Sequence, residues 1–198
     1  TPYLGYGSNM WKEQMALRCP ASPFMGVGRF RGYKWFINAR GYANIVPVTV
    51  TPDPKPGTRT SNDDYANQVW GLVYNLSPED EAQLDINEGV PYAYEKRMLE
   101  AEFWPAVGHK SSTRLWARRT RSKCQKKTLL PVLVYIDFQR ADDHNHDHEG
   151  QQHLPGDEYV YRMNRGIKDA LREGVPGGYV EKVLRRDIPP RENEEEDE

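Results

Sequence analysis

Cysteine is scarce in this chain: there are two in 198 residues. Cys19 and Cys124 do not form a Cys-x-x-Cys pair, which excludes a disulfide framework and a thiolate-rich metal knot. Such usage fits a reducing compartment, so the protein is expected to be cytoplasmic. Long apolar runs are missing as well. No stretch approaches the roughly 18–20 residues that a membrane-spanning helix needs, and no membrane partner is expected. Charge of one sign is also lacking. Lys and Arg number 27 against 29 Asp and Glu, a net charge of −2, so no overall field draws the molecule to nucleic acid. Neither the GxxxxGK[ST] nor the GxGxxG arrangement of glycines occurs, which removes the usual nucleotide-phosphate cradles.

What is present suits one domain with a sizeable core. Residues 2–6 read as a strand that runs through Gly7-Ser8-Asn9 into a helix over 10–17. Alternating bulky residues predict strands over 26–31 and 32–38, and β-branched density predicts another over 45–51. Residues 52–64, with three prolines, form a loop. The run Val69-Trp70-Gly71-Leu72-Val73-Tyr74 is the clearest strand, followed by alternation over 94–103 and again over 129–138. Val160, Met163, Ile167, Ala170 and Leu171 make one apolar stripe on a helix over 155–173 that Gly174 and Pro176 end. A shorter amphipathic segment follows around Tyr179. The expected fold is a mixed α+β single domain in which a curved or closed mixed β-sheet, a small barrel, is flanked by helices. The domain spans 1–190, and the acidic residues 191–198 form a tail.

Two polar segments stand apart. Residues 104–127 carry Lys110, Arg114, Arg118, Arg119, Arg121, Lys123, Lys126 and Lys127 and no acid. Interleaved with Trp104 and Trp116, they suit nucleic acid on paper, but the acidic tail offers an internal counter-charge and the plain reading is an inserted solvated segment. Three of the five histidines, His144, His146 and His148, alternate within 142–149. Without a distant partner this His-x-His-x-His run is a poor closed metal site, so 142–154 reads as a hydrophilic loop and no metal is expected.

Two stretches carry chemistry. In the first, several backbone N–H groups of Gly7-Ser8-Asn9 converge where a strand enters a helix, which suits a carboxylate. The same residues also suit a plain helix start capped by Asn9. In the second, Ser77, Pro78 and Asp80 are a helix-start signal, and Leu84-Asp85-Ile86-Asn87-Glu88-Gly89 closes that helix on a glycine turn. Glu88 then precedes the aromatic run Val90-Pro91-Tyr92-Ala93-Tyr94. Desolvated there, its carboxyl has a pKa raised toward that of a general base. Solvated, it is an ordinary glutamate at a helix end.

Tyr6-Gly7-Ser8-Asn9 after the first strand, Leu72-Val73-Tyr74 before a Ser-capped helix, and Leu84-Asp85-x-x-Glu88-Gly89 about eighty residues beyond the turn occur together in this order. In these features the chain resembles the γ-glutamylcyclotransferase family, its fungal members included. The segment Pro155-Gly156-Asp157-Glu158-Tyr159 leading into a long helix resembles that family's C-terminal end. The resemblance implies an enzyme that cyclises a γ-glutamyl group to 5-oxoproline and releases the remaining amine, with no cofactor and a small γ-glutamyl molecule as its partner. It implies that Glu88 is the acid/base, that Tyr6 and the amides of Gly7, Ser8, Asn9 and Met10 bind the γ-glutamyl group, and that Tyr94 lines the pocket with Tyr92 as the alternative. Tyr135 is the matching aromatic on the later strand. Glutathione, γ-glutamyl peptides and glutathione adducts of a secondary metabolite all fall within that substrate class. Segments 104–127 and 142–149 exceed the compact family pattern and bear on which substrate is accepted. A catalytically silent γ-glutamyl-binding module of the same fold is the competing expectation.

The residue types suit that chemistry. The substrate carries its own nucleophile, the α-amine, so no Ser or Cys nucleophile is required. Holding it folded removes much of the entropic barrier. One carboxyl of raised pKa can then take a proton from the amine and return it to the leaving nitrogen.

Overall fold

A computed structural model describes residues 1–48, 65–106, 127–148 and 153–191, with side chains for all of these except 144–148. The Pro-rich loop, Cys124, most of the basic segment and residues 192–198 of the tail lie outside the described residues, as do the side chains of His144, His146 and His148.

The strands are β1 (Pro2–Gly5), β2 (Phe24–Arg31), β3 (Tyr33–Ile37), β4 (Ala43–Pro47), β5 (Gln68–Asn75), β6 (Glu95–Pro105) and β7 (Thr128–Ile136). The α-helices are α1 (Lys12–Arg18), α2 (Pro78–Asn87), α3 (Asp157–Glu173) and α4 (Gly177–Lys182). Five strands close into a barrel in the order β1-β5-β2-β6-β7, and β3 with β4 forms a separate two-stranded ribbon. Closure comes from a parallel contact of β1 with β7, Tyr3 facing Leu133, while the other barrel pairings are antiparallel. A closed sheet leaves no edge strand open to mispairing. Leu4, Leu72, Val73, Val132 and Val134 are wholly buried, each contributing about 1.5–3 kcal/mol of transfer free energy. Among the described residues no helix is long and apolar enough to cross a membrane.

Three packing features aim the chain at one end of the barrel. A Cβ on Gly71 would fall 2.3 Å from the Gly5 carbonyl oxygen, so a glycine is needed where β5 crosses the end of β1. The turn that follows is a 3₁₀ segment, Ser8–Met10. It is pressed against α3 at Gly166, where a Cβ would sit 3.0 Å from Trp11 N. The start of β4 is tied to the residue that follows β7: Asn44 Nδ2 donates to Asp137 O at 2.8 Å, and Asp137 N donates to Asn44 Oδ1 at 3.0 Å.

Several expectations change. The helix over 10–17 is a 3₁₀ turn and then α1, broken at Trp11 in extended conformation (ψ 110°), beside α3, which packs close through Gly166 and accepts the Lys12 N–H on Asp169 Oδ2 at 2.9 Å. Asn9 is therefore not a helix cap; Gly7 holds that position and makes no side-chain cap bond. The strand expected over 45–51 is β4, which begins earlier at Ala43; Val48 N still donates to Gly32 O at 2.8 Å beyond its end at Pro47, and residues 49–51 lie outside the described residues. Trp104 and Pro105 belong to β6 rather than to the inserted segment: Trp104 stacks on Trp70 at 5.1 Å, with the Arg29 guanidinium over both rings. The last strand stops at Ile136, and Phe138–His148 is 3₁₀ turns with a kink at Arg140 instead of a loop. Within the α3 stripe Val160, Met163, Ile167 and Ala170 are buried, whereas Leu171 is 43% exposed.

The Gly71 contact is testable. Gly71→Ala sets a methyl against the Gly5 carbonyl, so urea unfolding should show a loss of about 1–3 kcal/mol. A variant as stable as wild type would mean that β1 and β5 can separate freely.

Candidate active site

Helix α2 begins as its sequence requires. Ser77 Oγ accepts the N–H of Asp80 at 3.1 Å, Pro78 occupies the first turn, and Glu79, Asp80 and Glu81 complement the positive end of the helix. At the other end Glu88 N donates to Leu84 O at 2.9 Å, and Gly89 adopts φ +65° to turn the chain away. Leu84 is wholly buried and Ile86 is 72% exposed, so the helix end lies across the barrel rim. Glu88 faces inward from it.

Across from Glu88 stands the turn after β1. Asn9 Nδ2 donates to Glu88 Oε1 at 3.2 Å and to the Tyr3 hydroxyl at 2.8 Å. Its Oδ1 accepts from Gln14 Nε2 at 2.8 Å and from Arg18 Nη1 at 3.1 Å. A guanidinium has only donors, so the atom facing Arg18 must be the carboxamide oxygen, and the nitrogen is thereby directed at the carboxylate. Gln14 is fixed in turn, because its Oε1 accepts from Arg162 Nη1 at 3.3 Å while its Nε2 reaches Ser8 Oγ at 3.2 Å. Among the described residues no acceptor engages the backbone N–H of Gly7 or of Asn9.

Between these elements lies a cavity of about 330 Å³, roomy enough for a small ligand. Tyr6, Gly7, Ser8, Asn9, Glu88, Tyr94 and Tyr135, all singled out from the sequence, line it together. Met10 does not: its side chain is buried and its N–H is taken by Gly7 O at 2.9 Å. Tyr92 is 84% exposed and stands outside the lining. The aromatic walls are held by their hydroxyls. Tyr94 donates to Ala43 O at 3.1 Å, Tyr6 to Tyr135 O at 2.5 Å, and Tyr135 to Asp85 Oδ1 at 2.7 Å.

Sequence reasoning missed the basic side of the cavity. Arg18 from α1, Arg40 from the ribbon turn and Arg162 from α3 all line it, with Tyr3 and Tyr159. Arg40 lies over the Tyr94 ring at 4.9 Å and donates to Asp137 Oδ2 at 2.8 Å and to Ala93 O at 3.2 Å. Tyr159 accepts the Ala43 N–H at 3.1 Å. These residues come from three separate elements with no shared spacing. The one local signal is Glu158 four residues before Arg162, a pair that marks a helix face rather than a cavity.

Electrostatics single out one group. Burial raises the pKa of Glu88 above the usual carboxyl range. The opposing influences are the charge of Arg18, the hydrogen bond from Asn9, and then Arg162 and Arg40. Glu88 is the one carboxyl among the described lining residues. Burial also pushes the hydroxyls of Tyr3, Tyr6, Tyr94 and Tyr135 up, so they stay protonated as donors. Cys19 is buried beside the site, with a thiol pushed up to about 11, which leaves it unreactive. Among the described residues no group of three His, Cys, Asp or Glu side chains is placed to hold a metal. The arrangement offers one carboxyl of raised pKa, a turn with amide donors, and a basic wall.

Known proteins resemble this chain in sequence and in fold. The family described as Gamma-glutamyl cyclotransferase, AIG2-like matches residues 3–134. The gamma-glutamylcyclotransferase of Bos taurus is 30% identical over 89 residues, which is 44% of this chain and 44% of the bovine protein. The chain is thus matched over less than half of that relative's length. A solved gamma-glutamyl cyclotransferase superposes with a TM-score of 0.61 at 19% identity, over 96% of this chain and 89% of the other. A yeast structure described as a cyclotransferase specific to glutathione gives 0.54 at 14% identity, over 93% and 95%. At these identities the superpositions show a common fold.

The enclosed carboxyl has a stability signature. Between the ordinary glutamate range and its raised value, the folded protein keeps a proton on Glu88 that the unfolded chain releases. Stability from this group therefore falls as pH rises through that window. Glu88→Gln removes the penalty and should unfold at a higher temperature than wild type at mildly alkaline pH, the gap closing as pH falls into the ordinary carboxyl range. A variant less stable than wild type at alkaline pH would contradict the burial of that charge.

Proposed function

The chain belongs to the AIG2-like gamma-glutamyl cyclotransferase family, and from that premise we propose that it is a γ-glutamylcyclotransferase, converting a γ-glutamyl amide to 5-oxoproline and a free amine with Glu88 as general acid/base. The observation that carries this reading is the single carboxamide of Asn9, which joins the amide-bearing turn to an enclosed carboxylate across one cavity.

The proposed reaction proceeds as follows. The α-ammonium gives a proton to Glu88, whose raised pKa brings it closer to that of the amine it must serve. The freed nitrogen attacks the γ-carbonyl carbon, forming a five-membered ring and an oxyanion. The N–H groups of Gly7 and Asn9 are the donors we assign to that oxyanion. The bond from the γ-carbon to the departing nitrogen then breaks as Glu88 returns its proton to that nitrogen, and the ring nitrogen, which still carries two protons, passes one through Glu88 to the departing amine, leaving neutral 5-oxoproline and an ammonium. Formally this is an intramolecular acyl transfer, and the nucleophile and electrophile enter on one molecule. The work left to the protein is to hold the chain folded, and the ring faces of Tyr94 and Tyr135 are the walls we assign to that task.

The substrate class we infer is γ-glutamyl peptides, glutathione and adducts of glutathione, those of secondary metabolites included. The exposed side chain of Ile86 and the partly exposed ring of Tyr42 sit at the cavity lining, which supports an amine portion that extends outward past apolar surface. The yeast relative of this fold described as specific to glutathione supports the same class. We place the enzyme in the cytoplasm, in keeping with the scarcity of cysteine.

The test is direct. Glu88→Gln should keep its fold by circular dichroism and lose 5-oxoproline release from a panel of glutathione, γ-glutamyl amino acids and bulky glutathione conjugates by about 10²–10⁴-fold. Turnover equal to wild type would remove Glu88 from the reaction. A wild-type protein that binds these compounds and releases no 5-oxoproline would be a binding module.

A further inference from the structure

Three guanidinium groups line the cavity, and two of them already face a protein carboxylate. Arg40 Nη2 lies 2.8 Å from Asp137 Oδ2, and Arg162 Nη2 donates to Glu158 Oε2 at 2.8 Å. Arg18 differs. Its hydrogen bond goes to the neutral oxygen of Asn9, and among the described residues it forms no ion pair with an Asp or Glu. Arg18 is half-buried at the last turn of α1. A half-buried guanidinium whose fork makes no direct bond to a carboxylate has donors open to one.

Its position relative to Glu88 gives the anion's identity. Arg18 Nη1 and Glu88 Oε1 are bound to opposite ends of one carboxamide, at 3.1 and 3.2 Å. A γ-glutamyl group likewise carries its ammonium and its carboxylate on a single carbon. If the ammonium meets Glu88, the carboxylate must lie a few ångströms to one side of that contact, on the scale of the width of Asn9. An anion placed there without a cation would face the charge of Glu88 in a low-dielectric cavity.

We propose that Arg18 holds the α-carboxylate of the γ-glutamyl group and selects γ-glutamyl compounds over the same amides lacking that carboxylate. The inference rests on reading the cavity as a γ-glutamyl site. It leaves the amides of Gly7 and Asn9 to the γ-carbonyl oxygen, and it explains why Arg18, unlike Arg40 and Arg162, makes no direct ion pair with a protein carboxylate among the described residues although it lies near the charge of Glu88.

The experiment uses calorimetric binding to Glu88→Gln protein, which does not need turnover. The ligands are γ-glutamyl-alanine and 4-aminobutanoyl-alanine, the same molecule without the α-carboxylate. The first should bind more tightly by roughly thirty-fold or more, as expected when one partner of an enclosed charge pair is deleted. Adding Arg18→Met should bring the two ligands within about three-fold of each other, by loss of affinity for the γ-glutamyl compound alone. Arg18→Lys keeps the charge without the fork and should retain part of the preference, and it serves as the test if Arg18→Met does not fold. A preference that survives in both variants, or that collapses in Arg162→Met instead, overturns the proposal. Selective binding lost with Arg18, together with no 5-oxoproline release from wild type, overturns the catalytic reading and leaves this one standing. Catalysis with selectivity unchanged in Arg18→Met does the reverse.

Discussion

The carboxamide of Asn9 is the contact through which the parts of the site reach one another. Its nitrogen serves Glu88 and Tyr3, and its oxygen serves Gln14 and Arg18. Strand β1, helix α1 and the end of α2 thereby meet in one planar group. A reversed amide would point its N–H₂ at a guanidinium and its oxygen at a carboxylate, so the orientation has no competitor of similar energy. Enclosed polar networks of this kind are worth more when complete than pair by pair, and each lost member leaves an unsatisfied partner in low dielectric.

The barrel supplies what that carboxamide cannot. Gly71 lets β5 cross close to Gly5, which sets the height at which the chain leaves β1 for the turn. Gly166 lets α3 lie against Met10 and Trp11, which holds the turn down from the far side. The ribbon turn is pinned by Asp137, wholly buried and faced by Arg40, Arg140 and Asn38. That pinning presents Arg40 and Tyr42 at the cavity without either element joining the barrel. The cost of this assembly falls on Glu88, whose half-buried charge sits at a helix C-terminus, where the dipole also disfavours it. Strain of this sort is what a site tuned for proton transfer accepts in place of greater stability.

Local chemistry made much of this legible in advance. Ser77, Pro78 and Gly89 mark both ends of α2, and their roles depend on backbone geometry within a few residues. The apolar run of β5 and the stripe of α3 are equally local. Glu88, the turn from Tyr6 to Asn9, Tyr94 and Tyr135 were picked out as separate pieces, and the cavity that unites them is a product of barrel closure. What stayed hidden depends on contacts distant in sequence. The break at Trp11 and the inward burial of Met10 occur where α3, about 155 residues later, packs close through Gly166. Trp104 borders a basic stretch in the sequence, and only its stacking on Trp70 shows that it belongs to the barrel. The three arginines carry no pattern, since each is placed by a different element, and their common purpose exists only in the folded chain.

The site turns on a Glu88 carboxyl partly withheld from water and held in hydrogen-bond contact with Asn9. The most direct measurement is a carbon-13 NMR titration of the glutamate side-chain carboxyls, with the Glu88 resonance identified by its disappearance in Glu88→Gln. The Glu88 resonance should titrate with a midpoint above the ordinary glutamate range. A midpoint within or below that range would contradict the partial burial of that carboxyl.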